Sequence, residues 1–217
     1  YIVGYDPAAK QFIVSPEINE VLGRPDDVFS EGKIHGHLDF VDGPNIWFAT
    51  YWSKYPEIKP EDWASGYIGG HIMTYNVLTH EFVDYGVPMP RASWPSARVD
   101  PRRKMLYAAG YDQEFLAWDM DRRKPIYAGL LPEGMKWSNR VMMIDDVTGR
   151  LYTSNNHPDD GGHNLIRYDP ATNTHTLLDA PMPPDEIDEN HPVADMRAST
   201  ERRGPDGLLH GITANGQ

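Results

Sequence analysis

His35, His37 and His71, with Tyr111 and Arg140, are the side chains in this sequence whose types and placement suit proton transfer. His35 and His37 are two residues apart, so on an extended chain they project to the same side. With His71 they form a trio that could hold a divalent metal ion through neutral imidazoles, or set a base beside an acid. The plainer reading makes His35 and His37 ordinary hydrogen-bonding groups at the start of a strand. The chemistry such a set would serve is β-elimination on a uronate-bearing glycan. A cation neutralises the carboxylate and acidifies the adjacent C–H, a base takes that proton, and an acid protonates the leaving oxygen. Arg140 or Arg91, or a metal on the histidines, suits the first task. His37 or His71 suits the second and Tyr111 the third.

Binding groups stand nearby in sequence. Arg91, Arg140 and Arg197 recur just before or at the start of successive strand-like runs, where a guanidinium can clamp a carboxylate with two parallel hydrogen bonds. Exposed salt bridges between units would use the same residues to little energetic effect. Residues 51–67 hold Tyr51, Trp52, Tyr55, Trp63 and Tyr67, and Trp94 follows Arg91 closely. Such rings can stack on sugars, or fold back and pack the loop onto its own unit. Gly-Gly-His occurs twice, ending at His71 and His163. The repetition favours a hairpin role for the glycines.

The elements that must position these groups follow from two alternating signatures. The first is a short apolar run ending in an aromatic and an Asp or Asn, then a turn and a second run. It begins at Tyr5-Asp6, Tyr75-Asn76, Trp118-Asp119 and Tyr168-Asp169, at intervals of 70, 43 and 50 residues, and residues 51–67 account for the longest. The second is an extended segment, a tight Asp/Gly/Pro turn and an apolar strand, as in His37–Val41 to Ile46–Ala49, Ser96–Val99 to Met105–Ala108, Val141–Ile144 to Leu151–Thr153 and Arg197–Thr200 to Leu208–Ile212. Asp, Gly and Pro supply the dihedrals these reversals need. Interleaving gives four short strands, A to D, recurring every 45 to 60 residues or so, which is the arithmetic of a propeller blade. The expected class is all-β, a β-propeller of four-stranded antiparallel blades with about four blades present. The units fall at roughly 1–30 (partial), 31–88, 89–135, 136–182 and 183–217 (partial). The first holds only a C–D pair and the last only an A–B pair. Either these halves join and close a ring of four, or the chain is an arc of a larger ring of about seven; a start at Tyr1 rather than Met favours the arc.

By the general layout of such folds, the D-to-A and B-to-C connections share one end of the ring. Most histidines and several arginines fall in those connections, although the chain carries 20 Lys+Arg against 32 Asp+Glu, a formal net charge of −12. That charge argues against nucleic acid as a partner. No apolar run approaches the roughly 18 residues of a membrane-spanning helix. The absence of cysteine removes disulfides, thiolate ligands and cysteine nucleophiles. An acidic polysaccharide or oligosaccharide is the expected partner. An open arc leaves unpaired strand edges, so self-association is expected as well.

The Gly43–Thr50 run (Gly-Pro-Asn-Ile-Trp-Phe-Ala-Thr) and the Tyr168–Asn173 turn (Tyr-Asp-Pro-Ala-Thr-Asn) resemble those of seven-bladed propellers that include virginiamycin B lyase, gluconolactonase-like proteins and several polysaccharide lyases. The resemblance implies blades over most of the chain and a lyase-like use of His, Tyr and Arg. It leaves two alternatives open: a non-catalytic propeller that binds a glycan or protein through its His/Arg/aromatic end, and, ranked lowest, a metal-dependent lactone hydrolase.

Overall fold

The computed structural model describes residues 1–23, 34, 36–52, 67–111, 113–138, 140–157, 164–182, 196–200 and 202–213. A hairpin of β1 (Val3–Asp6) and β2 (Gln11–Val14) is followed by a single helical turn, α1 (Ile18–Val21). Three antiparallel meanders then succeed one another. The first is β3 (Asp39–Asp42), β4 (Asn45–Ala49), β5 (Ile72–Asn76) and β6 (Phe82–Asp84). The second is β7 (Ser96–Asp100), β8 (Met105–Ala109), β9 (Glu114–Asp119) and β10 (Lys124–Leu130). The third is β11 (Met143–Ile144), β12 (Leu151–Ser154), β13 (Leu165–Asp169) and β14 (Thr174–Leu177). A last hairpin joins β15 (Met196–Ser199) to β16 (Gly211–Thr213). Strand order within each sheet is sequential, and the two hairpins remain separate two-stranded sheets. Among the described residues the sheets do not close on one another, and the alternative of a closed four-bladed ring gives way to an arc.

Stacking of the sheets explains why β8 and β9 read as continuous apolar runs. Side chains alternate between faces. Leu106, Ala108, Leu116 and Trp118 face a core shared with Trp47, Ala49 and Ile72 of the first meander. Met105, Tyr107, Ala109, Phe115 and Ala117 face the opposite way, into a core shared with Leu151, Ile166 and Tyr168 of the third. A sheet buried on both faces has no polar side to present, so the period of two is hidden in the sequence.

The aromatic-Asx signature proves to be a C–D turn. The Asp6, Asn76, Asp119 and Asp169 carboxyl or amide oxygens each accept backbone N–H groups from the turn that follows. Five residues after the aromatic, Lys10, His80, Arg123 and Asn173 adopt φ of 54°, 59°, 53° and 54°. The Asx side chain satisfies the turn amides and so steadies that left-handed residue. In two turns the aromatic itself reaches the left-handed residue: the Tyr75 hydroxyl meets His80 Nδ1 at 2.8 Å, and the Tyr168 hydroxyl donates to Asn173 Oδ1 at 2.8 Å.

The A–B turns lie together at one end of the arc. Arg103 donates to the Asp146 and Val147 carbonyls of the next unit's turn. Arg203 grips Asp145 with Nε at 2.8 Å and Nη2 at 2.7 Å. The Arg203 guanidinium holds the Asp145 carboxyl well below the usual carboxylate range. The inner strands β3, β7, β11 and β15 consequently all start at the opposite end.

Candidate functional site

The end carrying the D-to-A and B-to-C connections contains most residues singled out by type. Its described aromatic rings are packing elements. Tyr51, Trp52 and Tyr67 are each 2 % exposed and Trp94 is fully buried. Trp52 and Tyr67 meet edge to face with centroids 4.7 Å apart. The Trp52 backbone N–H donates to Ser93 Oγ at 3.0 Å, and the Trp94 indole N–H donates to the Gly70 carbonyl at 3.1 Å. A ring buried in this way has no face left for a sugar. Stacking by these four gives way to packing. Tyr111 is held against the same cluster, its hydroxyl 2.5 Å from that of Tyr51.

His71 is buried, and its place is set by two neighbouring strands. Its backbone N–H donates to Thr50 Oγ1 at 2.8 Å, and its Nδ1 lies 2.9 Å from Asp84 Oδ1 on β6. This His–Asp pair ties the start of β5 to the outermost strand of the sheet. His37 is exposed, and its backbone N–H donates to the Ala97 carbonyl of β7 at 3.4 Å. Arg91 and Arg140 are exposed at the approaches to β7 and β11; Arg91 has φ of 64° and donates its N–H to the Ile68 carbonyl, and the Arg140 N–H donates to Ser138 Oγ. Arg197 lies on β15. His35, Trp63, His163 and the side chain of Arg197 lie outside the described residues, as does most of the aromatic loop. Among the described residues no group of three or more His, Asp or Glu side chains is placed to share a metal ion.

A concavity lies at the other end of the inner strands. It encloses about 380 Å³ and is lined by Arg98, Arg102 and Arg202 and by Asp39, Asp100 and Asp146, over an apolar floor of Val99, Met142 and Ile144. Arg98 is 7 % exposed, and its Nη2 donates to Ser199 Oγ on β15 at 3.4 Å. A bond from β7 to β15 passes over the intervening sheet, so the inner strands surround a common axis. Asp100 is engaged on both oxygens: Oδ1 accepts the N–H groups of Arg102 and Arg103, and Oδ2 accepts Arg103 Nη1 at 2.9 Å. Arg102 Nη1 donates to the Asp146 carbonyl at 3.0 Å, and Asp146 Oδ1 accepts the Arg203 N–H at 3.2 Å. Sequence reading passed over this cavity. Its signal was available in β7, where Ala97 and Val99 alternate with Ser96, Arg98 and Asp100. Ala97 and Val99 pack on the first meander, so the polar row shares the opposite face of β7.

Meanders stacked face to face around a shared axis decide the architecture. The chain is an arc of a β-propeller. Against solved structures it is similar to hydrazine synthase of Kuenenia stuttgartiensis, with TM-score 0.55 and 11 % identity, over 94 % of this chain and 47 % of that one. A protein from Lactobacillus plantarum matches with TM-score 0.47 and 17 % identity, over 78 % of this chain and 46 % of that one. The chain thus spans about half the length of these structures. No family model matches the sequence, and no curated protein matches it. At such identities the likeness concerns the fold, and the propeller fold hosts many unrelated functions.

Proposed function

We propose that this propeller segment is a binding module for a carboxylate-bearing sugar, held in the cavity between the inner strands. The observation that carries the proposal is the lining of that cavity. Three arginines and three aspartates line it, a set of residues suited to offering cations to a uronate carboxylate and acceptors to sugar hydroxyls. Its volume falls within the usual range of about 300–1,000 Å³ for small-ligand sites. Arg98, being buried, would be the anchor, since a guanidinium withdrawn from water binds a carboxylate more strongly than one on the rim.

Titration calorimetry with oligogalacturonate, against a neutral oligosaccharide of equal length, tests this. Arg98→Gln and Arg102→Gln are each expected to weaken the acidic ligand by about 10- to 100-fold, the usual worth of one charged hydrogen bond. Equal binding of neutral and acidic sugars, or binding indifferent to both substitutions, would sink the idea.

The β-elimination reading draws on the other end, where exposed His37 and Arg140 precede β3 and β11. It assigns His37 the proton and Arg140 the carboxylate. Accumulation of unsaturated sugar ends, abolished by His37→Ala, would replace binding with catalysis as the function.

A further inference from the structure

The turns of the second meander gather positive charge at the cavity end. Its A–B turn holds Arg102, Arg103 and Lys104, and its C–D turn with the first residue of β10 holds Arg122, Arg123 and Lys124, six of the chain's 20 Lys+Arg. The corresponding turns of the first and third meanders, residues 42–45, 76–81, 145–150 and 169–174, hold one Lys or Arg between them. That one, Arg150, is paired with Asp169 at 2.8 Å. The second meander is flanked on each side by a complete one, so these turns do not stand at an end of the arc.

The two turns lie side by side. The Met120 N–H donates to the Lys104 carbonyl at 3.0 Å, and Lys104 Nζ meets Asp121 Oδ1 at 2.8 Å. Three of the six cations are matched by carboxylates: Lys104 by Asp121, Arg103 by Asp100 at 2.9 Å and Arg122 by Asp119 at 2.6 Å. Arg102, Arg123 and Lys124 are exposed and form no ion pair among the described residues. Arg102 lines the cavity, with Nη1 fixed on the Asp146 carbonyl. Arg123 stands at the outer rim, its guanidinium carbon 5.6 Å from the centroid of the Tyr85 ring, which in turn stacks on Trp47 at 4.9 Å. A row of cations thus runs from Arg98 and Arg102 on the inner strand to Arg123 and Lys124 on the outer one, across three strand spacings, about 14 Å.

We infer that the acidic ligand is a chain of sugars that leaves the cavity over these turns and sets further uronate carboxylates against Arg123 and Lys124. The inference rests on the reading of the cavity as a uronate site. A single sugar held by Arg98 does not span the three strand spacings to the outer rim, so the outer cations serve a longer ligand. A polyuronate carries one carboxylate on each ring of a stiff backbone. Successive rings can therefore meet the row without the ordering cost that a flexible acidic peptide incurs. The outer cations are exposed, and each contributes modestly, about 2- to 5-fold in affinity at low salt.

Titration calorimetry of the full chain at low salt, with galacturonic acid and with oligogalacturonates of increasing length, tests this. The longer oligomers are expected to bind the natural chain about 3- to 20-fold more tightly than the single sugar. Arg123→Asn together with Lys124→Gln should remove that gain and leave the affinity for the single sugar unchanged. Asparagine suits the left-handed backbone of residue 123, as Asn173 does in the third meander at φ of 54°, so the turn is retained. Salt at about 0.5 M should shrink the gain in the natural chain, because exposed charges are then screened. An affinity indifferent to length, or a gain that survives the double substitution, overturns the path over the turns while a single-sugar site sensitive to Arg98→Gln still stands. Single sugar and oligomers that alike ignore Arg98→Gln overturn the cavity reading and this inference with it. Poly-glutamate of matched charge that binds as tightly as the oligogalacturonate overturns a glycan as the occupant.

Discussion

His175 gives the sharpest test of how the sheets are packed. It sits on β14, with its ring centroid 4.7 Å from that of Tyr168, 4.8 Å from Phe115 and 5.1 Å from Tyr127. Its Nε2 is buried and makes no hydrogen bond. This desolvation pushes the imidazole down from 6.5 to about 4, because a cation among aromatic rings forfeits its hydration. A histidine whose folded value lies below its unfolded value favours folding fully above pH 6.5. That contribution fades as pH falls from 6.5 toward 4, where the unfolded chain takes up a proton that the folded chain refuses. A difference of this size is worth about 3 kcal/mol, or roughly 6–12 °C of Tm in a chain of this length. The assay is thermal or urea unfolding at intervals from pH 8 to pH 4, on the natural chain and on His175→Phe. The natural chain should lose about 3 kcal/mol more than the variant over that interval. The carboxylates held low by hydrogen bonds, such as Asp145 and Asp169, protonate below this window in both proteins and cancel in the difference. Identical pH dependence in the two would show that His175 is hydrated, and the packing of the third meander on the second would have to be redrawn.

Asp145→Asn should cost about 1–3 kcal/mol, since the buried carboxylate receives both Arg203 donors, and should raise hydrogen exchange selectively in β15–β16; a uniform rise would contradict a local tie. Gly70→Ala should cost a further 1–3 kcal/mol or so in urea unfolding: the new Cβ would stand 2.5 Å from both the Thr50 carbonyl oxygen and Trp94 Cδ1, where both neighbours are fully buried. An alanine variant of natural stability would mean that this corner is looser than the contacts imply.

Local rules made much of the architecture legible. Asx turns and left-handed residues act over five positions, so Tyr5-Asp6, Tyr75-Asn76, Trp118-Asp119 and Tyr168-Asp169 announced their turns from spacing alone. The same regularity counted the blades and marked both terminal units as partial. The candidate site was less legible. Trp52, Tyr67 and Trp94 have the chemistry of a sugar platform, yet they serve as core, because ring burial depends on what folds over the ring. His71 carries no mark in the sequence of its partner Asp84, 13 positions away on another strand.

Strand number, turn chemistry, the all-β class and the excess of acid over base are properties of nearest neighbours and composition, and they can be read along the chain. Which end of the arc holds a concavity and which arginines line it depend on residues separated by whole blades. Arg98 meets Ser199 across 101 positions and Arg203 meets Asp145 across 58. Such contacts form only when the sheets stack around their axis, and no local preference of the chain encodes that distance.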